Sequence, residues 1–263
     1  MQPTADHGEE SYVGSGRLAR LAALITGGDS GIGRAVALAY AREGADVLVS
    51  YLSEEADARE TCRLVEDAGR RAVAVAGDIG DQAHCGRLVE RVLSEFGRLD
   101  ILVNNAAHQD RFDALEDISP EAWRHTFATN IDAMFYLSRA AVPHMQPGAS
   151  IINTSSVQAF TPSPSLLPYA TTKGAIITFT KALAKLLADR GIRVNVVCPG
   201  PVWTPLIPAT TEGGQVSEFG QQTPLGRPAQ PAELAAVYAF LASPAASYVT
   251  GSAYGVHGGM DMP

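Results

Sequence analysis

Seven short apolar runs, spaced along the chain by stretches with helical character, constrain its fold more than any other feature. They are LAALIT (21–26), DVLVSY (46–51), AVAVA (72–76), LDILVNN (99–105), SIINT (150–154), IRVNVV (192–197) and SAYGV (252–256). Runs rich in Val, Ile and Leu without in–out alternation are expected to be covered on both faces, as in a parallel sheet between helices. The intervening segments predict helices over 31–42, 53–68 and 81–96, one from Ser119 towards Pro143, one carrying YATTK, and one from Pro231. Serine followed by proline at 119–120 is a natural helix start, because the hydroxyl can cap and proline tolerates the first helical position. Parallel crossovers are right-handed, so successive helices wind onto both faces. The expectation is an α/β fold: one doubly wound domain with a seven-stranded, mostly parallel sheet.

The 263 residues suffice for a single domain of this kind. Residues 1–17 read as a polar tail, 18–263 as the domain, and about 199–230, rich in Pro, Gly and Thr, as a lid over a site. The formal net charge of −8 argues against nucleic acid or an anionic membrane as partner. The N-terminal stretch has neither the basic start nor the apolar run of a secretory signal, and the apolar runs are too short to span a bilayer. Cys62, Cys85 and Cys198 show no paired spacing and the histidines stand singly, so reduced thiols, a cytoplasmic location and no metal site are expected.

Chemistry-bearing residues cluster at the ends of the runs. The first ends in TGGDSGIG (26–33), where Gly27, Gly31 and Gly33 allow a tight turn and bring backbone N–H groups towards a phosphate at a helix start. Taken alone, such a turn is also found for purely structural reasons. Further on, Tyr169 and Lys173 stand four residues apart, on one helix face. One reading is a packed tyrosine beside a solvated lysine. The other is a cation that lowers the proton affinity of a phenol.

These motifs, with NNAA (104–107), Asn130 in ATNID, NTSS (153–156) and Pro199-Gly200, resemble in order and spacing those of the short-chain dehydrogenase/reductase family, over about Leu18 to Met260. The most specific part is Tyr-x-x-x-Lys with Ser156 thirteen residues upstream, and the N-terminal GEESYVGSGRL is similar to bacterial general-stress oxidoreductases of that family. NNAA departs from the usual NNAG, placing Ala107 where a glycine beside the cofactor is usual. The resemblance implies a Rossmann domain, an NAD or NADP cofactor and a homotetramer. It implies that Tyr169 is the general acid in reduction and base in oxidation, that Ser156 hydrogen-bonds the substrate oxygen, that Lys173 also holds the nicotinamide ribose, and that Asn130 holds a water in a relay to Lys173. Read together, Asn130, Ser156, Tyr169 and Lys173 are a proton-transfer device.

By the same resemblance the cofactor is expected to lie along Gly27, Asp29, Ser30, Gly31, Ile32, Gly33, Ser50, Tyr51, Asp78, Ile79, Asn105, Ala106 and Ala107, with Tyr169, Lys173, Pro199, Gly200, Val202 and Thr204 closing over the nicotinamide. For Asp78 the alternative is a cap for the following helix. The acidic residue that usually binds the ribose 2′-hydroxyl is replaced by Tyr51. No basic residue stands ready for a 2′-phosphate, and Asp29 would repel one, so the balance leans slightly to NAD, with dual use open. Substrate walls are expected from His108 and Gln109, from Gln158 and Phe160, and from Trp203, Leu206 and Ile207 in the lid, with Trp203 alternatively a lid anchor. This mostly apolar lining suits a small neutral carbonyl or alcohol. Enoyl reductases of the family show a wider Tyr–Lys spacing, which argues for carbonyl reduction or alcohol oxidation. The alternatives are a nicotinamide-binding sensor without turnover and a protein whose main role is assembly.

Overall fold

The computed structural model describes residues 4–206 and 219–260. Seven strands form one sheet: β1 (Ala22–Thr26), β2 (Asp46–Tyr51), β3 (Ala72–Ala76), β4 (Ile101–Asn104), β5 (Ser150–Thr154), β6 (Arg193–Pro199) and β7 (Ala253–Val256). Their order is β3-β2-β1-β4-β5-β6-β7 and every pairing is parallel, so the mostly parallel sheet expected is wholly parallel. Adjacent residues of the central strands serve opposite layers. Ala23 and Ile25 of β1 join a core with Val47, Val49, Ile101 and Val103, whereas Leu24, Leu48 and Leu102 join the other. That is why the sequence shows continuous apolar runs. The edge strands β3 and β7 are only partly buried.

The helices that cover the sheet are, among the described residues, α1 (Gly31–Arg42), α2 (Glu55–Asp67), α3 (Gln82–Phe96), α4 (Pro120–Phe127), α5 (Ala133–Ala141), α6 (Leu167–Leu187) and α7 (Pro231–Ala242). Tyr40 of α1 and Leu234, Tyr238 and Leu241 of α7 fill one layer; Leu88 and Val92 of α3, Leu137 of α5 and Leu187 of α6 fill the other. The helix expected from Ser119 to Pro143 is broken. Ser119 caps α4 through its hydroxyl on Ala122 N at 3.0 Å, but Ala128–Asp132 forms a π-turn before α5 resumes. One extra residue in the turn carries Asn130 inward, and such turns recur at functional sites.

Residues 6–17 lie against the domain. Asp6 N donates to Gln230 Oε1 at 3.0 Å, and the Arg42 guanidinium donates to the carbonyls of Gly8, Glu9 and Tyr12. The wholly buried Glu43 accepts from Tyr12 Oη (2.8 Å), Ser15 N (2.9 Å) and Arg17 N (3.0 Å). Burial pushes the Glu43 carboxyl up, but these donors and the Arg17 guanidinium outweigh it and bring it down to about 2. Part of the stretch read as a lid, including Ile207, lies outside the described residues; its two ends meet where Trp203 N donates to Ala229 O and Ala229 N to Pro201 O, both at 2.9 Å. Among the described residues no helix is long and apolar enough to cross a membrane, and no cluster of His, Cys, Asp and Glu could hold a metal ion.

Candidate active site

In this strand order the connections leave the sheet in opposite directions from β1 and β4, which opens a crevice at the carboxyl ends of those two strands. Both ends carry motifs. Gly27 (φ 60°) and Gly31 (φ 50°) hold a left-handed backbone that side chains resist. At Gly33 a Cβ would stand 1.9 Å from Gly27 O, so only glycine lets α1 begin against the turn. Ser30 precedes the helix without a side-chain cap, and no acidic side chain lies in the first turn, which leaves the α1 amides open to an anion. The cradle therefore fits a dinucleotide pyrophosphate.

The turn is bracketed from β4. Asn105 Nδ2 donates to Thr26 O (3.1 Å) and Gly27 O (3.2 Å), while Thr26 Oγ1 accepts from Asn105 N and Ala106 N, both at 3.0 Å. Asn105 thus braces the turn, and Ala106 packs on Gly27 so closely that a Cβ there would stand 3.0 Å from Ala106 Cα. Ala107 is half-buried beyond it. Beyond β6, Thr204 lies on Gly31, where a Cβ would be 3.0 Å from its Cγ2. Val202 is buried, and Gly200 N donates to Val256 O at 2.9 Å with no room for a Cβ beside His257. Pro199 ends β6.

At the end of β2, Gly28 N donates to Ser50 O (3.2 Å) and Tyr51 closes the strand, half-buried. Asp78 is exposed and folds its carboxylate onto Gly80 N (2.8 Å); the following helix is capped by Asp81 instead, through Ala83 N and His84 N. Ile79 is buried beside it. Asp29 is buried, and its pKa is raised first by that burial and further by the nearby Glu54 and Asp57 carboxylates. Arg34, which sequence reasoning passed over, donates to Asp29 O from Nε (3.0 Å) and Nη2 (2.6 Å) and pairs with Asp57 at 3.1 Å. Its position in the first turn of the helix was the available signal.

Around α6 the candidate catalytic residues converge. Tyr169 and Lys173 are 8% and 2% exposed, and Lys173 Nζ lies 5.1 Å from the centre of the Tyr169 ring. The ammonium donates to Thr154 O at 3.0 Å, and Ser155 Oγ donates to Lys173 O at 2.7 Å. Ser156 follows β5, buried, with its hydroxyl accepting from Gln158 N at 3.2 Å. Asn130 is buried; its Oδ1 accepts from His108 N at 2.7 Å and its Nδ2 donates to His108 O and Thr172 Oγ1, each at 3.0 Å. A cavity of about 10 Å³, lined by Thr26, Asn104 and Asn130 among others, adjoins it, room for about one water.

One expectation is reversed. The lysine was expected to lower the Tyr169 pKa. Burial instead pushes the phenol up to about 12, only partly opposed by a hydrogen bond with Ser156, and burial brings Lys173 down to about 8. The ammonium faces the ring and the Thr154 carbonyl, away from a direct bond to the phenol oxygen, so desolvation dominates both groups.

Of the expected substrate walls, His108 pairs its Nε2 with Asp110 at 2.8 Å and sets its ring edge against His125, centroids 4.3 Å apart. Gln158 Oε1 accepts from Ser163 N (2.7 Å), and Gln158 lines an open groove of about 570 Å³ between its loop and the outer side of α6. Phe160 packs against the small apolar cluster that includes Met134, Ile176 and Cys198. Trp203 is buried, and its backbone N–H donates to Ala229 O across the two ends of the 199–230 stretch.

A family model described as enoyl-(acyl carrier protein) reductase matches residues 27–261. The uncharacterized oxidoreductase YhdF of Bacillus subtilis is 50% identical over 98% of this chain and 90% of its own length. General stress protein 39 of the same organism is 48% identical over 98% and 91%. Among solved structures, a short chain dehydrogenase from Burkholderia cenocepacia J2315 in complex with NADP superposes with a TM-score of 0.87 at 34% identity, over 92% of this chain and 98% of that one. A 3-ketoacyl-(acyl-carrier-protein) reductase from Brucella melitensis complexed with NADH gives 0.84 at 36%, over 92% and 98%. With relatives this similar over nearly its full length, the chain belongs to the short-chain dehydrogenase/reductase family of NAD(P)-dependent oxidoreductases.

Proposed function

We propose that the protein interconverts a small neutral aldehyde or ketone and its alcohol, with Tyr169 as the proton donor and acceptor. The observation that carries this reading is the burial of Tyr169 and Lys173 side by side on one face of α6, next to Ser156 at the end of β5. When bound, the nicotinamide supplies or accepts the hydride. Ser156 donates to the substrate oxygen and steadies the charge that grows there. Tyr169 delivers the proton during reduction and withdraws it during oxidation. Lys173 holds the ribose and supplies positive charge behind the phenol. The Asn130 side chain is engaged with His108 and Thr172, so its share in a relay is assigned to its backbone carbonyl, with the small neighbouring cavity as the place for a water. The four-residue spacing of Tyr169 and Lys173 favours carbonyl chemistry over the enoyl reduction in the family model's description.

The same reading assigns the cofactor. The glycine turn takes the pyrophosphate, Asp78 and Ile79 the adenine, and Ser50 and Tyr51 the ribose. The similar proteins above bind NADP in one case and NADH in the other, so the choice rests on this chain's charges. Asp29, Glu54 and Asp57 lie about the place a 2′-phosphate would take, and the neighbouring Arg34 is already held by Asp29 O and Asp57. That favours NAD. The partly buried edge β7 and the wholly exposed Tyr248 offer a surface for assembly as a homotetramer, which light scattering would read. Oxidation of NADH and of NADPH followed over a panel of aldehydes and ketones tests the activity; binding of cofactor with no turnover on any of them, or on the matching alcohols, would overturn it.

A further inference from the structure

Thr172, between Tyr169 and Lys173 in sequence, is wholly buried and touches neither substrate nor cofactor in the reading above. A threonine inside a helix commonly returns its hydroxyl to a carbonyl one turn back, as Thr126 does to Ala122 O and Thr171 to Leu167 O. Thr172 does this and more. Its Oγ1 donates to Tyr169 O at 2.6 Å and accepts from Asn130 Nδ2 at 3.0 Å. A hydroxyl has one proton, and Tyr169 O takes it, so Asn130 must present its amide hydrogens to Thr172 and its oxygen to His108 N. Both Asn130 Nδ2 contacts and its Oδ1 contact are thereby fixed. The result is an unbroken buried chain from the loop after β4, through the π-turn, to the backbone of the tyrosine.

We infer that Thr172 is a positioning residue: its hydroxyl holds the tyrosine-bearing turn of α6 against Asn130 and the His108 backbone, and so sets where the phenol meets the substrate oxygen. This rests on the assignment of Tyr169 as the proton donor. Without the hydroxyl, one Asn130 amide hydrogen is left buried and unpaired, the carboxamide turns to find another acceptor, and the helix start is no longer tied to the loop. Reaction rates are steep in such displacements, whereas the pyrophosphate cradle lies on other elements and keeps its geometry.

The test compares Thr172→Val, which keeps the shape and removes the hydroxyl, with Thr172→Ser, which keeps the hydroxyl. Tyr169→Phe is assayed in parallel on the aldehyde that wild type turns over best. The valine variant should lose about tenfold or more in kcat while its NADH Kd stays within about twofold, and the serine variant should recover most of the loss. With NADH deuterated at the transferred position, the isotope effect on kcat should rise in the valine variant as chemistry becomes slower. Wild-type kcat in the valine variant, or a loss that serine does not recover, overturns the inference. If the valine chain does not fold, Thr172→Ala carries the same comparison. Turnover retained in Tyr169→Phe would instead overturn the underlying assignment, so the two failures are told apart.

Discussion

Burial sets the resting protonation of Tyr169 and Lys173, and two consequences follow at the level of single side chains. With its phenol pushed up to about 12, Tyr169 keeps its proton at neutral pH, which suits the proposed carbonyl reduction. Lys173, lowered by burial from its usual 10.5 to about 8, gives up its proton in the free protein as pH rises through that value. Cofactor contacts that favour the ammonium then require proton uptake. NADH affinity should therefore be level below pH 8 and fall above it, by at most about tenfold per pH unit. Fluorescence titrations from pH 7 to about 9.5 check this, and an affinity that does not change across the range contradicts it. Charge also sets the cofactor choice. Asp29 and Glu54 crowd the ribose end, so Asp29→Asn with Glu54→Gln should raise kcat/KM for NADPH relative to NADH by about tenfold. An unchanged ratio would place the 2′-position elsewhere. That Tyr169 and Lys173 share one helix face was legible from their four-residue spacing, whereas Ser156 came with the family resemblance. The upward shift of the phenol was not, since it depends on what packs over the ring.

At the level of elements, the glycine turn and the N-terminal segment make the sharpest demands. Gly33→Ala sets a Cβ 1.9 Å from Gly27 O, so α1 cannot start where it does. This variant should lose cofactor binding at least tenfold, read by titration against wild type, and unaltered affinity would mean the cradle is not used as described. Glu43, wholly buried among donors from Tyr12, Ser15 and Arg17, has its pKa brought from 4.5 down to about 2. Because the folded value is the lower one, its contribution is full above about 4.5 and fades as pH falls towards 2. Glu43→Gln should cost roughly 2–3 kcal/mol near neutral pH and flatten the acid-side fall of Tm. A variant whose Tm follows wild type at every pH contradicts the role. The polar composition of residues 6–17 hid this docking, since its anchors, Arg42, Glu43 and Gln230, lie far along the chain. The π-turn was equally hidden: ATNID fits a continuous helix, and the extra residue shows only once α4 and α5 are placed on the sheet.

For the whole molecule, the alternation of apolar runs with helices was enough to foresee a doubly wound sheet, because a strand covered on both faces cannot hide its composition. The order of the strands then puts the ends of β1 and β4 together, where the glycine turn meets Asn105 and Ala106 through the hydrogen bonds of Thr26 and Gly27. Substrate selection was least legible. The residues expected to wall the substrate, His108, Gln158 and Phe160, sit in surroundings set by loops packing against one another, which the sequence does not spell out. The central claim is that Tyr169 moves the proton. Wild type and Tyr169→Phe, compared for NADH oxidation over the same aldehydes, test it most directly. The account predicts a loss of at least about a thousandfold in kcat with NADH Kd within about threefold of wild type. A phenylalanine variant that turns over at more than about a tenth of the wild-type rate would contradict it.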